Sequence, residues 1–153
     1  MKLSRNFSLS ELTKSDTAIR KDIDNTPSND VINNLTNLCT MVLQKVRDSH
    51  GLVTVTSGYR SPELNKNIGG SATSDHTKGC AADFEVPQLD NKQLALWIKD
   101  NLIFKQLILE FYEDGIPNSG WVHCSFEEGK NNSEVLTAKK EGKKTVYLKE
   151  LCE

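Results

Sequence analysis

Apolar residues at Val31, Ile32, Leu35, Leu38, Met41, Val42 and Val46 recur at spacings of three and four, which predicts an amphipathic helix running to His50 and stopped by Gly51. This is the longest periodic segment in the chain and the expected main core helix. A turn-rich stretch from Asn25 to Asn29 precedes it. Further upstream, Ser8-Leu9-Ser10-Glu11 has the spacing of a capping box and predicts a short first helix. Ser61-Pro62-Glu63-Leu64 predicts another short helix, with proline placed where its missing amide does no harm, and Ile68-Gly69-Gly70-Ser71 closes it in a loop. Asp90-Asn91-Lys92-Gln93 opens a further helix through Leu94, Leu96, Trp97 and Ile98, with Trp97 in the core. His50 reads as a dipole partner or a solvated side chain in the last turn of its helix rather than as a ligand.

Between these helices the period changes. Residues 52–56, 81–86, 106–111 and 120–126 read as short strands, and the 113–119 connection suits an antiparallel pair. Residues 135–151 read as a terminal hairpin around the solvated basic turn of Lys139, Lys140, Lys143 and Lys144. The pattern predicts a single α+β domain over residues 1–153, with a small antiparallel sheet packed against helices.

Composition narrows the functions. At 153 residues the chain buries one core, and a formal net charge of −2 with 26% charged residues argues against nucleic acid or an anionic membrane surface as partner. No apolar run is long enough for membrane insertion, and the start Met-Lys-Leu-Ser-Arg-Asn-Phe lacks the apolar segment of a secretory signal, so synthesis in a cytoplasm is expected. Cys39, Cys80, Cys124 and Cys152 are too far apart for a Cys-x-x-Cys site and read as free thiols.

The candidate chemistry gathers in Ser74-Asp75-His76-Thr77-Lys78-Gly79-Cys80-Ala81-Ala82-Asp83 and in His123. Catalytic zinc commonly takes three nitrogen or oxygen ligands and keeps a fourth position open, and His76, Asp83 and His123 are such a set; a hydrogen-bonded His-Asp link without metal fits the spacing too. Arg60 follows the end of a strand, and Glu110 interrupts the apolar run Leu107-Ile108-Leu109-Phe111, where a carboxylate is costly unless paired or used.

The ordered series Ser57-Gly58-Tyr59-Arg60-Ser61, Asn65, Gly69-Gly70, Ser74-x-His76-x-x-Gly79-x-Ala81-x-Asp83 and Trp121-Val122-His123-x-Ser125 resembles the D-alanyl-D-alanine carboxypeptidase-like zinc peptidases, and within them the phage-type branch. The likeness runs from Phe7 to Tyr147. It implies that His76, Asp83 and His123 bind Zn²⁺, that Arg60 holds or polarises the substrate carbonyl or carboxylate, and that Ser74 lines the peptide site. It also implies hydrolysis of D-amino-acid-containing peptides of bacterial peptidoglycan, by a carboxypeptidase, dipeptidase or L-alanyl-D-glutamate endopeptidase. Where several branches of that family place an acid/base carboxylate three residues before the last histidine, this chain has Gly120, and Glu110 is the expected substitute. The expectation is a monomeric phage lysis enzyme, made in the host cytoplasm and acting at the cell wall or periplasm. A metal-binding tail module of the same fold without turnover is the alternative.

Overall fold

The computed structural model describes residues 1–151; Cys152, one of the expected free thiols, lies outside the described residues. Lys2–Ser4 (β1) and Phe7–Ser8 (β2) pair antiparallel ahead of the first helix, Leu9–Thr13 (α1), where Ser8 Oγ accepts a hydrogen bond from the Glu11 amide at 3.2 Å. A second short helix, Asp16–Arg20 (α2), follows with Ser15 as its cap; its five residues carry too little periodicity to be predicted. The main helix begins behind Ser28 as Asn29–Leu38 (α3), passes through one π turn at Cys39–Leu43 and ends as Gln44–His50 (α4). Gly51 stops it at φ 87°, a conformation that favours glycine. His50 is half-buried in the last turn, where its ring meets Trp97 edge-on, with centroids 4.7 Å apart.

Beyond this helix come Thr54–Ser57 (β3), Pro62–Asn67 (α5), a 3₁₀ turn at Asp75–Lys78, Ala81–Glu85 (β4) and Asn91–Asn101 (α6). Gln106–Glu110 (β5), Trp121–Ser125 (β6), Glu134–Glu141 (β7) and Lys144–Lys149 (β8) complete the chain. The main sheet has six strands in the order β3-β4-β6-β5-β7-β8. The predicted α+β class and the β5–β6 and β7–β8 antiparallel pairs are present, but the sheet is mixed, because β5 and β7 run parallel. The chain leaving β6 skips past β5 through residues 126–133 instead of turning back on its neighbour, and so arrives in the same direction as β5. None of the described helices is long and apolar enough to cross a membrane.

Strand alternation divides the sheet into two faces. Ala82 and Phe84, Leu107 and Leu109, and Val122 and Cys124 join Leu35, Leu38, Val42, Leu43 and Val46 of the long helix and Leu94 and Ile98 of α6 in one core. Burying a side chain of this size stabilises the fold by roughly 1.5–3 kcal/mol relative to leaving it exposed. The intervening positions Asp83, His123, Ile108 and Glu110 therefore face away from the core helices, and the register aligns them: Asp83 opposes His123, His123 opposes Ile108, and Glu110 opposes Trp121. The same period that fills the core gathers the polar residues on the other side.

Candidate metal centre

Asp83 and His123 are direct cross-strand partners on β4 and β6, which brings His123 Nδ1 to 2.9 Å from Asp83 Oδ1. His76 reaches the same carboxylate oxygen from the 3₁₀ turn, with Nε2 at 3.4 Å. The turn is fixed locally: Ser74 Oγ accepts from the His76 amide at 3.2 Å, and Gly79 ends it at φ 76°. A Cβ at Gly79 would stand 2.8 Å from Val31, so only glycine lets the turn lie against α3.

All three side chains are buried, with exposures of 3% for His76, 8% for Asp83 and 9% for His123. Their ligand atoms lie within 4.8 Å of one another, the one such metal-binding group among the described residues. His76 Nδ1 lies 2.7 Å from the Gly58 carbonyl oxygen and donates to it, which leaves Nε2 as the bare nitrogen facing Asp83. Two imidazole nitrogens and one carboxylate oxygen fit zinc. Burial alone would raise the Asp83 carboxyl, but hydrogen bonds and charge from His123 and His76 hold it well below the usual carboxylate range. Burial likewise works against a charged His123, and the bond to Asp83 outweighs it and raises the imidazole.

Arg60 completes the other side of Asp83, with a guanidinium nitrogen 3.6 Å from Oδ2. Its orientation is set by two residues to which the sequence reading assigned no role: Nε donates to Ser57 Oγ at 3.1 Å, and a terminal nitrogen donates to Asn65 Oδ1 at 3.2 Å. Asn65 is in turn held by the Ser71 carbonyl at 2.7 Å and packed so closely under Gly70 that a Cβ there would lie 2.1 Å from its oxygen.

Glu110 stands at the β5 end of the same face. Burial first, and the Asp83 carboxylate second, push its carboxyl above the usual range, against the opposing pull of His123, Trp121 and Arg60. Trp121 Nε1 is buried beside it without a partner of ordinary hydrogen-bond geometry, and the indole packs against Phe111 at 5.3 Å between centroids. Gly120 is explained by the backbone: it sits at φ 61°, and a Cβ would fall 2.0 Å from the Glu110 carbonyl oxygen. No side chain of any kind fits at that position. Ser74 lies at the edge of the group, where its hydroxyl caps the turn that carries His76.

The cysteines stay apart from this chemistry. Cys124 is on the core face of β6, opposite in direction to His123, and burial pushes its thiol up; burial pushes the Cys80 thiol up to about 11. Among the described residues neither belongs to the metal-binding group.

A salt-bridge cluster anchors the His76 turn to the rest of the sheet. Lys105 Nζ contacts both Asp75 Oδ1 and Glu127 Oε1 at 2.8 Å, and Lys78 and Lys130 also face Glu127, at 3.6 and 3.4 Å. The bond from Lys105, helped by the other two lysines, holds the Glu127 carboxyl down at about 2. A depressed carboxyl contributes stability that is complete above the unfolded value of about 4.3 and is lost as pH falls toward the folded one. Glu127→Gln is therefore expected to lower the melting temperature at pH 7, with the gap to the parent closing between about pH 4.3 and 2. Paired thermal melts over that range check it, and a gap independent of pH would break the link to this carboxylate.

A family model described as Peptidase M15 matches residues 5–125, a span that includes Arg60, Ser74, His76, Asp83, Glu110 and His123 and leaves out the β7–β8 hairpin. No curated protein matches the chain. The matched span is most of the 153 residues and coincides with the elements that build the polar face, so the chain belongs to the Peptidase M15 family, the zinc peptidases that its sequence resembles.

Proposed function

We propose that the protein is a zinc-dependent peptidase that hydrolyses D-amino-acid-containing peptide stems of bacterial peptidoglycan and serves as a phage lysis enzyme acting at the cell wall. The observation that carries this reading is the meeting of His76, Asp83 and His123 donor atoms within 4.8 Å, in a chain of a peptidase family. In this reading those three residues hold the ion. Zinc bound there supplies Lewis acidity toward the scissile carbonyl and makes water nucleophilic near neutral pH.

The remaining steps belong to the chain's own groups. Glu110 takes a proton from the attacking water and returns it to the leaving amine, a role suited to a carboxylate whose surroundings raise its proton affinity. Arg60, held by Ser57 and Asn65, presents its charge to the carbonyl oxygen or to a substrate carboxylate. Ser74, at the edge of the group, lines the peptide site. Burial of the histidines and of Asp83 limits the water that reaches them.

The test is digestion of purified peptidoglycan by the zinc-loaded protein, with the fragments identified by mass. A new terminus at a stem peptide bond supports the reading and names the bond, which separates endopeptidase from carboxypeptidase. Intact wall after exhaustive incubation removes it. The second reading, a metal-binding tail module of this fold without turnover, draws on Gly120, at the position where several branches of the resembled family place an acid. It predicts full zinc occupancy with no released fragment.

A further inference from the structure

Beside Arg60 a cleft of about 410 Å³ runs between Lys14, at the end of α1, and Thr17 of α2 on one side and the strand residues Val55, Thr56 and Ser57 on the other. Successive residues of a strand point their side chains to opposite faces, so three in a row line one cleft only when the cleft follows the strand's edge. β3 is the terminal strand of the main sheet. Among the described residues, Thr54–Ser57 make no backbone hydrogen bond beyond the ladder to β4. Just past the strand, the Tyr59 amide closes onto the Leu12 carbonyl at 2.7 Å, and Gly58 is needed there because a Cβ would lie 2.2 Å from that oxygen. The chain thus pins α1 at the end of β3 and leaves the edge before it open.

We propose that this cleft is a binding subsite in which an extended peptide adds to the free edge of β3 through its main chain. An unpaired strand edge offers alternating amides and carbonyls, which match another extended backbone and neither a sugar ring nor a nucleotide. Continuity argues for the occupant: Ser57 lines the cleft, opposes Asp83 in the sheet and holds Arg60, so a peptide leaving the metal centre meets this edge first. The identity of the occupant as the distal part of the substrate rests on the peptidase reading; the edge itself does not. Recognition by main chain makes affinity depend on peptide length and on unblocked amides, and little on side-chain identity.

The test measures binding of a labelled L-alanyl-D-glutamate dipeptide and of the same unit extended by four residues at either end, the length of β3, to the zinc-loaded protein. One of the extended peptides is expected to bind at least ~10-fold more tightly than the dipeptide. N-methylation of alternate amides in the extension should return it to the dipeptide's affinity. Thr17→Trp, which fills the cleft from its outer wall, should abolish the gain while leaving binding of the dipeptide at the parent level. No gain on extension, or a gain that survives both N-methylation and Thr17→Trp, overturns the proposal. The N-methyl comparison uses the parent protein alone, so a poorly folded variant does not decide the outcome. Length-dependent, N-methyl-sensitive binding by a protein that also leaves purified peptidoglycan intact would retire the peptidase reading and leave the subsite standing.

Discussion

Asp83→Ala is expected to remove zinc binding and to destabilise the metal-free protein at the same time. Its Oδ1 lies 2.9 Å from His123 and 3.4 Å from His76, and its Oδ2 lies 3.6 Å from Arg60, so one carboxylate meets both imidazoles and the guanidinium of the centre. Without metal, its removal takes from Arg60 and His123 their nearest anionic partner; losing one partner of a buried pair typically costs about 3–5 kcal/mol. With metal, the loss is larger than that of an outer partner, which alone weakens affinity by about 10–100-fold. Zinc at about a hundred times its dissociation constant contributes about 2.7 kcal/mol to the folded state. The parent should therefore lose several degrees of melting temperature on chelation, and the variant none. Elemental analysis and melts with and without chelator read both effects, and Asp83→Asn repeats the comparison with side-chain shape preserved. A variant that keeps stoichiometric zinc would take Asp83 out of the centre.

The parts of this site that could be read from the chain are those that obey a local period or spacing. Alternation in 81–86, 106–111 and 120–126 placed Asp83, Glu110 and His123 on strands, and because the period is two, the apolar positions that fill the core fix which way the polar ones face. The serine caps of α1 and α5 were legible because they act over three residues. What lay outside the sequence was contact between distant segments. Nothing local says that β7 pairs parallel with β5, since that follows from the route of 126–133 past a strand already in place. Nor does the spacing of Ser57, Arg60 and Asn65 show that the first and last hold the second, because that depends on how α5 folds back against the end of β3. Gly120 is the sharpest case. By resemblance to several branches of the family it is a missing acid; in the fold its left-handed backbone, with a Cβ that would fall 2.0 Å from the Glu110 carbonyl oxygen, excludes an acid there.

In the proposed mechanism that exclusion leaves proton transfer to Glu110, and Glu110→Gln is the most informative single substitution. Positioned acid–base groups contribute about 10²–10⁴ to rate, and turnover of a peptidoglycan stem peptide is expected to fall within that range while zinc stoichiometry stays at the parent value. Stability should move the opposite way. The folded-state carboxyl is raised, with burial the main cause and Asp83 the next, so above the unfolded value of about 4.3 the ionised group opposes folding. Chelated Glu110→Gln should accordingly melt higher than the chelated parent at pH 7, and the advantage should vanish below about pH 4, where both side chains are neutral in either state. A residue that served only to brace Arg60 would lose a favourable ionic contact on this change and melt lower, with turnover impaired through Arg60's placement. Activity lost and stability gained in one conservative substitution is the signature of a group kept for chemistry against its own folding cost. A variant that melts lower and turns over within about tenfold of the parent, a loss below the range of a positioned acid–base group, would move proton transfer to another group.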